Sequence, residues 1–227
     1  MNTEYIIATE QVNRIFPVAG GEQFHALKNI AIQVPKNTLT ILKGRSGSGK
    51  TTLLNILGAL DYPTNGKVLF ANEDITELSE RKREELRRHK IGFIFQSVSL
   101  IPNMTAFENV EFALRLANYK EDKKARVEEC LKLVGLNNRM HHMPAELSGG
   151  EQQRVAIARA LAHKPTVIFA DEPTAELDSQ TSLIIMKIFK ELVSKEDVTI
   201  IMTTHDTGLM DAGDKVYELE DGEVVHE

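Results

Sequence analysis

Thr38-Leu39-Thr40-Ile41-Leu42-Lys43 is a short, mostly apolar run that leads straight into Gly44-Arg45-Ser46-Gly47-Ser48-Gly49-Lys50-Thr51. The residues that follow, 51–60, read TTLLNILGAL and predict a helix. Strand, glycine-rich loop and helix in that order supply the context in which G-x-x-x-x-G-K-[ST] binds phosphate. Glycines let successive backbone N–H groups turn inward around phosphate oxygens, and the dipole of the next helix favours the negative charge. Lys50 then sets a point charge on the β- and γ-phosphates of a nucleotide, and the Thr51 hydroxyl is a ligand for Mg²⁺. Gly44, Arg45, Ser46, Gly47, Ser48 and Gly49, with Thr52 beside Thr51, complete the expected cradle.

A second signal lies further along the chain. Val167-Ile168-Phe169-Ala170 is an apolar strand that ends in Asp171-Glu172. In open α/β sheets ligands gather outside the carboxyl ends of strands. Asp171 is expected to hold Mg²⁺, directly or through water, and Glu172 to face the γ-phosphate as base or water-positioning group.

The third signal is Leu147-Ser148-Gly149-Gly150-Glu151-Gln152-Gln153-Arg154, just before an alanine-rich helix. Ser148 and two glycines make an exposed helix N-terminus able to bind an anion. On these residues the chain resembles the nucleotide-binding subunit of ABC transporters, whose signature is LSGGQ, and the resemblance runs nearly end to end. The fifth position is Glu151 rather than the family's commonest Gln. The resemblance implies MgATP as substrate and ion. It also implies a head-to-tail dimer with a second copy or a related subunit, in which Ser148, Gly149 and Gly150 serve the nucleotide bound to the partner. Gln96, after the strand at 91–95, resembles the glutamine that reaches Mg²⁺ or the attacking water. His205 resembles the histidine that contacts the γ-phosphate, and Asp178 resembles the aspartate that crosses the dimer interface. Phe16 sits where many family members carry a Tyr that stacks on adenine, and packing in the core is its other reading. Residues 57–66 and 91–96 resemble a bacterial subgroup that contains the MacB, LolD, FtsE and bacitracin-type exporter ATPases.

Composition sets limits on these readings. The chain has 227 residues, 42% of them hydrophobic and 26% charged, which suits one α/β domain with or without a sub-lobe. Such a chain buries roughly 70% of its unfolded surface and needs no disulfide. Its single cysteine, Cys130, is expected to pack rather than react. A formal net charge of −6 argues against a dedicated nucleic-acid binder. The cluster Arg81, Lys82, Arg83, Arg87, Arg88, His89 and Lys90 is interleaved with Glu84 and Glu85, and is expected to be mainly the solvated face of a helix. The start, MNTEYIIATE, has no secretory pattern, and no run approaches the ~20 apolar residues of a membrane span. The expected location is cytoplasmic, on the inner membrane face through a separate integral-membrane permease.

The expected fold is α/β: a phosphate-loop parallel-sheet core, an antiparallel β portion and an inserted α-helical lobe, all in one domain, 1–227. Residues 1–96 and 163–227 form the core, and 97–162 the helical lobe with the signature. Strands are expected at 5–16, 26–34, 66–70, 166–170 and 198–203, helices at 79–89, 149–162 and 179–194, and a terminal hairpin around Asp221-Gly222. Within the lobe Val110, Phe112, Leu114 and Leu116 are expected to supply apolar contacts. Two functional classes stand. One is a transporter or mechanotransmission ATPase with a membrane partner, exporting or extracting a lipoprotein, peptide or antibiotic. The other is a soluble ABC ATPase acting on nucleic acid or ribosomes. A single core without a coiled-coil insertion, together with the acidic charge, favours the first.

Overall fold

The computed structural model describes residues 4–226, so the outermost residues of the expected domain, 1–3 and 227, lie outside it. In chain order the elements are β1 (Tyr5–Pro17), β2 (Gln23–Ile30), β3 (Gln33–Pro35), β4 (Leu39–Lys43), α1 (Lys50–Leu57), β5 (Asn65–Phe70), β6 (Glu73–Asp74), α2 (Glu80–Lys90), β7 (Ile91–Ile94), α3 (Ala106–Leu116), α4 (Lys123–Leu133), α5 (Gly149–Leu161), β8 (Val167–Ala170), α6 (Ser179–Lys195), β9 (Thr199–Thr204), β10 (Lys215–Glu220) and β11 (Glu223–His226).

Two sheets carry the fold. A six-stranded sheet runs β11-β10-β4-β9-β8-β7, parallel except for the terminal hairpin strand β11. A second, antiparallel sheet joins β2, β1, β5 and β6, with β3 pairing β1. Period-2 alternation sends the strands of the parallel sheet into two cores. Ile41, Ile168, Ile200 and Met202 face one side, under α5 and α6. Leu42, Phe169, Ile201 and Tyr217 face the other, against α1 and the antiparallel sheet. Helices α3, α4 and α5 pack on one another, between β7 and β8 in the chain.

Three details differ from the sequence expectation. The strand expected over 26–34 is two strands, β2 and β3. The buried Thr9 hydroxyl accepts from Ile32 N–H and donates to Ile30 O, so a side chain replaces the ladder there, and Asn29 takes a positive φ of 50°. Arg83 is not solvated: its side chain is 2% exposed, its guanidinium lies 3.7 Å from the Tyr62 ring centre, and Nη2 donates to Asp61 O. An aromatic ring and a carbonyl replace its water. In α3, Val110 and Leu114 are buried, but Leu116 is 59% exposed because it falls outside their helical stripe. Around Pro102 the chain forms no helix or strand, and the buried Asn109 side chain holds it in place, donating to the carbonyls of Ile101, Met104 and Thr105 and accepting from Ile101 N–H.

Candidate nucleotide site

Strands β7, β8, β9 and β4 lie side by side and parallel, so their carboxyl ends open on one edge. Gln96 follows β7, Asp171 and Glu172 follow β8, His205 follows β9, and the glycine loop follows β4. The topology therefore converges residues from four distant stretches of chain. Gln96, Glu172 and the glycine loop meet at a cleft of about 340 Å³ lined by Phe24, Ala26, Ser46, Gly47, Gly49, Lys50, Thr51, Thr52, Gln96 and Glu172, and His205 lines a smaller depression that shares Glu172. Roomier depressions lie beside Lys28 and His226 and along α4, and neither holds the glycine loop.

The loop is built for close approach. Gly49 has φ +101°, and a Cβ there would stand 2.7 Å from Ala26 O. Gly49 also occupies the N-cap of α1 with no side-chain cap, which leaves the first N–H groups of that helix for an anion. Lys50 is buried. Its Nζ donates to Gly44 O at 2.9 Å and Arg45 O at 3.0 Å, and lies 3.6 Å from Glu172 Oε1. His205 Nδ1 lies 3.2 Å from Glu172 Oε2, so this carboxylate stands between two nitrogen groups. Glu172 takes φ 42°, a conformation that L residues rarely adopt, and its N–H donates to Thr203 Oγ1 at 2.8 Å. Thr203 Oγ1 donates in turn to Asp171 Oδ1 at 2.6 Å, and Thr51 Oγ1 reaches the same oxygen at 3.0 Å. The sequence reading missed Thr203. Its cue was a hydroxyl residue on β9 just ahead of His205, which read only as strand.

The oxygen donors of Thr51 and Asp171 fit Mg²⁺, a hard cation that takes one or two carboxylates beside a substrate's phosphates. Among the described residues no group of three or more His, Cys, Asp or Glu forms a competing metal site.

Other candidates lie elsewhere. Ser148, Gly149, Gly150 and Asp178 are not among the residues lining the cleft. Ser148 is the N-cap of α5 in a capping box with Glu151, whose carboxylate accepts from both the N–H and the hydroxyl of Ser148. The Ser148 N–H foremost, then its hydroxyl and Arg139, hold the Glu151 carboxyl below its usual range. Asp178 caps α6, and the Thr181 hydroxyl and N–H lower its carboxyl in the same way. A Cβ on Gly150 would stand 2.5 Å from the Thr181 methyl, so the N-termini of α5 and α6 abut. Phe16 is half-buried and outside the lining. It pairs across the ladder with Phe24, which is 54% exposed and lines the cleft. Leu100 packs against the buried core, while Met104 lines a shallow groove with Glu108, Glu111, Phe112 and Arg115.

Residues 27–175 match the family model of the ABC transporter. This chain belongs to the ABC transporter family. An ABC transporter ATP-binding protein of Methanocaldococcus jannaschii, MJ0796, is 45% identical over 213 residues, 92% of this chain and 91% of its own. A dimeric structure of the MJ0796 cassette in a post-hydrolysis state, bound to ADP and Pi, superposes with a TM-score of 0.88 at 40% identity and covers 97% of both chains. The macrolide export ATP-binding/permease protein MacB of Wolinella succinogenes is 43% identical over 97% of this chain, which spans 34% of that protein's length. The ABC chain is thus of the ATP-binding subunit type, an ATP hydrolase that works with Mg²⁺. Among its described residues no helix is long and apolar enough to cross a membrane.

Proposed function

We propose that this ABC subunit hydrolyses ATP at two composite sites between two copies arranged head to tail. The cycle drives a separate membrane permease that exports or extracts a lipoprotein, peptide or antibiotic, or transmits force across the membrane. The subunit works at the cytoplasmic face, bound through that permease. One observation carries the reading: the signature N-terminus at Ser148 is exposed but lies outside the cleft that the phosphate loop lines. A site complete within one copy would have no use for it there.

The residue roles follow from chemistry. The phosphate-loop N–H groups and Lys50 take the β- and γ-phosphates, with Lys50 exchanging the carbonyls of Gly44 and Arg45 for phosphate oxygens. Thr51, Asp171 and Gln96 hold Mg²⁺, which when bound neutralises phosphate charge. Glu172 orients the attacking water and accepts its proton, and His205 and Gln96 complete the γ-phosphate shell. Ser148, Gly149 and Gly150 of one copy meet the γ-phosphate held by the other, and Asp178 lies at that interface. Phe16 stacks on adenine. Most of the acceleration comes from positioning and from stabilising charge. A permease helix docks at residues 97–107, where Met104 borders the groove.

The test is size-exclusion chromatography of Glu172→Gln with MgATP. The variant should bind ATP, accumulate as a dimer and hydrolyse slowly, and adding Ser148→Arg should return it to monomer with ATP affinity intact. A Glu172→Gln protein that binds ATP yet stays monomeric at high concentration would refute the composite site.

A further inference from the structure

Residues 57–66 contain Asp61, which has no part in the chemistry above. Its two carboxylate oxygens each accept an N–H from Arg14, from Nε and from Nη2, both at 2.9 Å. Paired bonds of this kind fix the plane of a guanidinium as well as its position. Asp61 is itself anchored. Its Oδ1 also accepts from Tyr62 N–H at 2.8 Å, and its main-chain oxygen accepts from Arg83 Nη2 at 2.5 Å. Arg83, stacked on Tyr62, ties this loop to α2. At the other end of the network, the Arg14 guanidinium carbon sits 4.3 Å from the centre of the Phe16 ring. Phe16 in turn faces Phe24 of the cleft across the β1–β2 ladder. Directly opposed residues in such a ladder stand about 5 Å apart at Cβ.

We infer that Asp61 and Arg14 are positioning residues that clamp Phe16 as the platform for the nucleobase. This rests on the proposed role of Phe16. The pinned cation covers one face of the ring, so a base would stack on the opposite face. It also orders Phe16 before nucleotide arrives, so less freedom is lost on binding. Without the carboxylate, Arg14 is a long, mobile side chain with no fixed plane. Neither Asp61 nor Arg14 lines the cleft of the glycine loop, so the clamp acts on the base alone.

The test compares affinity for ATP with affinity for inorganic tripolyphosphate, which has the phosphates and no base. Both are measured by displacement of a fluorescent ATP analogue. Asp61→Asn and Arg14→Gln should each weaken ATP binding about three- to fivefold, the size of a cation–π contact, and leave tripolyphosphate unchanged. Arg14→Lys should recover part of the loss. Phe16→Ala should weaken ATP about tenfold, as expected for one base–aromatic stack. If ATP and tripolyphosphate weaken together in the clamp variants, the pair is merely structural and the inference fails. Unchanged ATP affinity in those variants, with Phe16→Ala impaired, sinks the clamp and leaves the platform standing. Unchanged ATP affinity in Phe16→Ala removes the platform and the clamp with it.

Discussion

Cys130 shows how a residue can be chemically silent through placement. It is fully buried in α4, and burial pushes its thiol up to about 12, with Glu196 and Glu129 adding to the rise and Arg126 opposing it. The thiolate is the reactive form, so at pH 8 essentially none is present. The folded protein should resist Ellman's reagent and react with one equivalent only after denaturation in urea. Rapid labelling of the native protein would show that α4 opens on its own. Cys130 and the phosphate-loop residues were legible from sequence because each obeys a local rule. Thr203 and Arg83 were not, because their partners lie far away in the chain: Thr203 accepts from Glu172 N–H, 31 residues distant, and Arg83 donates to Asp61 O, 22 residues distant. A buried polar side chain has no sequence signature of its own.

At the scale of elements, what matters is how the helical lobe is fastened. Arg126 on α4 is 4% exposed. It donates to Leu161 O and Ala162 O at the end of α5 and pairs with Glu196, just past α6, at 2.9 Å. One side chain thus closes the carbonyl end of the signature helix and ties it to the core. Arg126→Met should lower stability by about 3 kcal/mol or more, because Glu196 and two carbonyls lose a buried partner. Urea unfolding followed by circular dichroism measures this, and a loss below about 1 kcal/mol would mean that water takes over the role. The elements themselves were mostly readable. β4, β8 and β9 declared themselves as apolar runs ending in candidate site residues, whereas Glu151, read only as a departure from the signature, turns out to close a capping box with Ser148. The division of β2 from β3 was hidden, since residues 26–34 alternate well enough for one strand and only the inserted Thr9 hydroxyl breaks them.

On the scale of the whole molecule, the phosphate loop is braced from behind by the terminal hairpin. Gly222 N–H donates to Ser48 O at 3.2 Å, Gly222 O accepts from Lys28 N–H at 2.8 Å, and Gly222 Cα would lie 3.6 Å from a Cβ on Gly49. Gly222 itself has φ +82°, and a Cβ there would stand 2.7 Å from Ala26 O. Gly222→Val should therefore weaken ATP binding about tenfold through strain on the loop. Gly135→Val is the control: its φ is +72° but open space surrounds it, so it should lower the melting temperature and leave ATP affinity alone. Equal affinities in the two variants would show that the hairpin does not support the loop.

The strand order β10-β4-β9 has a consequence for how the chain comes off the ribosome. Strand β4, which carries the phosphate loop, leaves the ribosome long before either of its ladder partners, β9 and β10. A nascent chain that stops short of Thr199 holds the complete glycine loop but has nothing to pair with its strand, and the brace at Gly222 arrives later still. Contacts of such long sequence separation form slowly. Nucleotide binding is in this sense a delayed read-out, because the strand that holds the glycine loop in place has no partners until β9 and β10 have emerged.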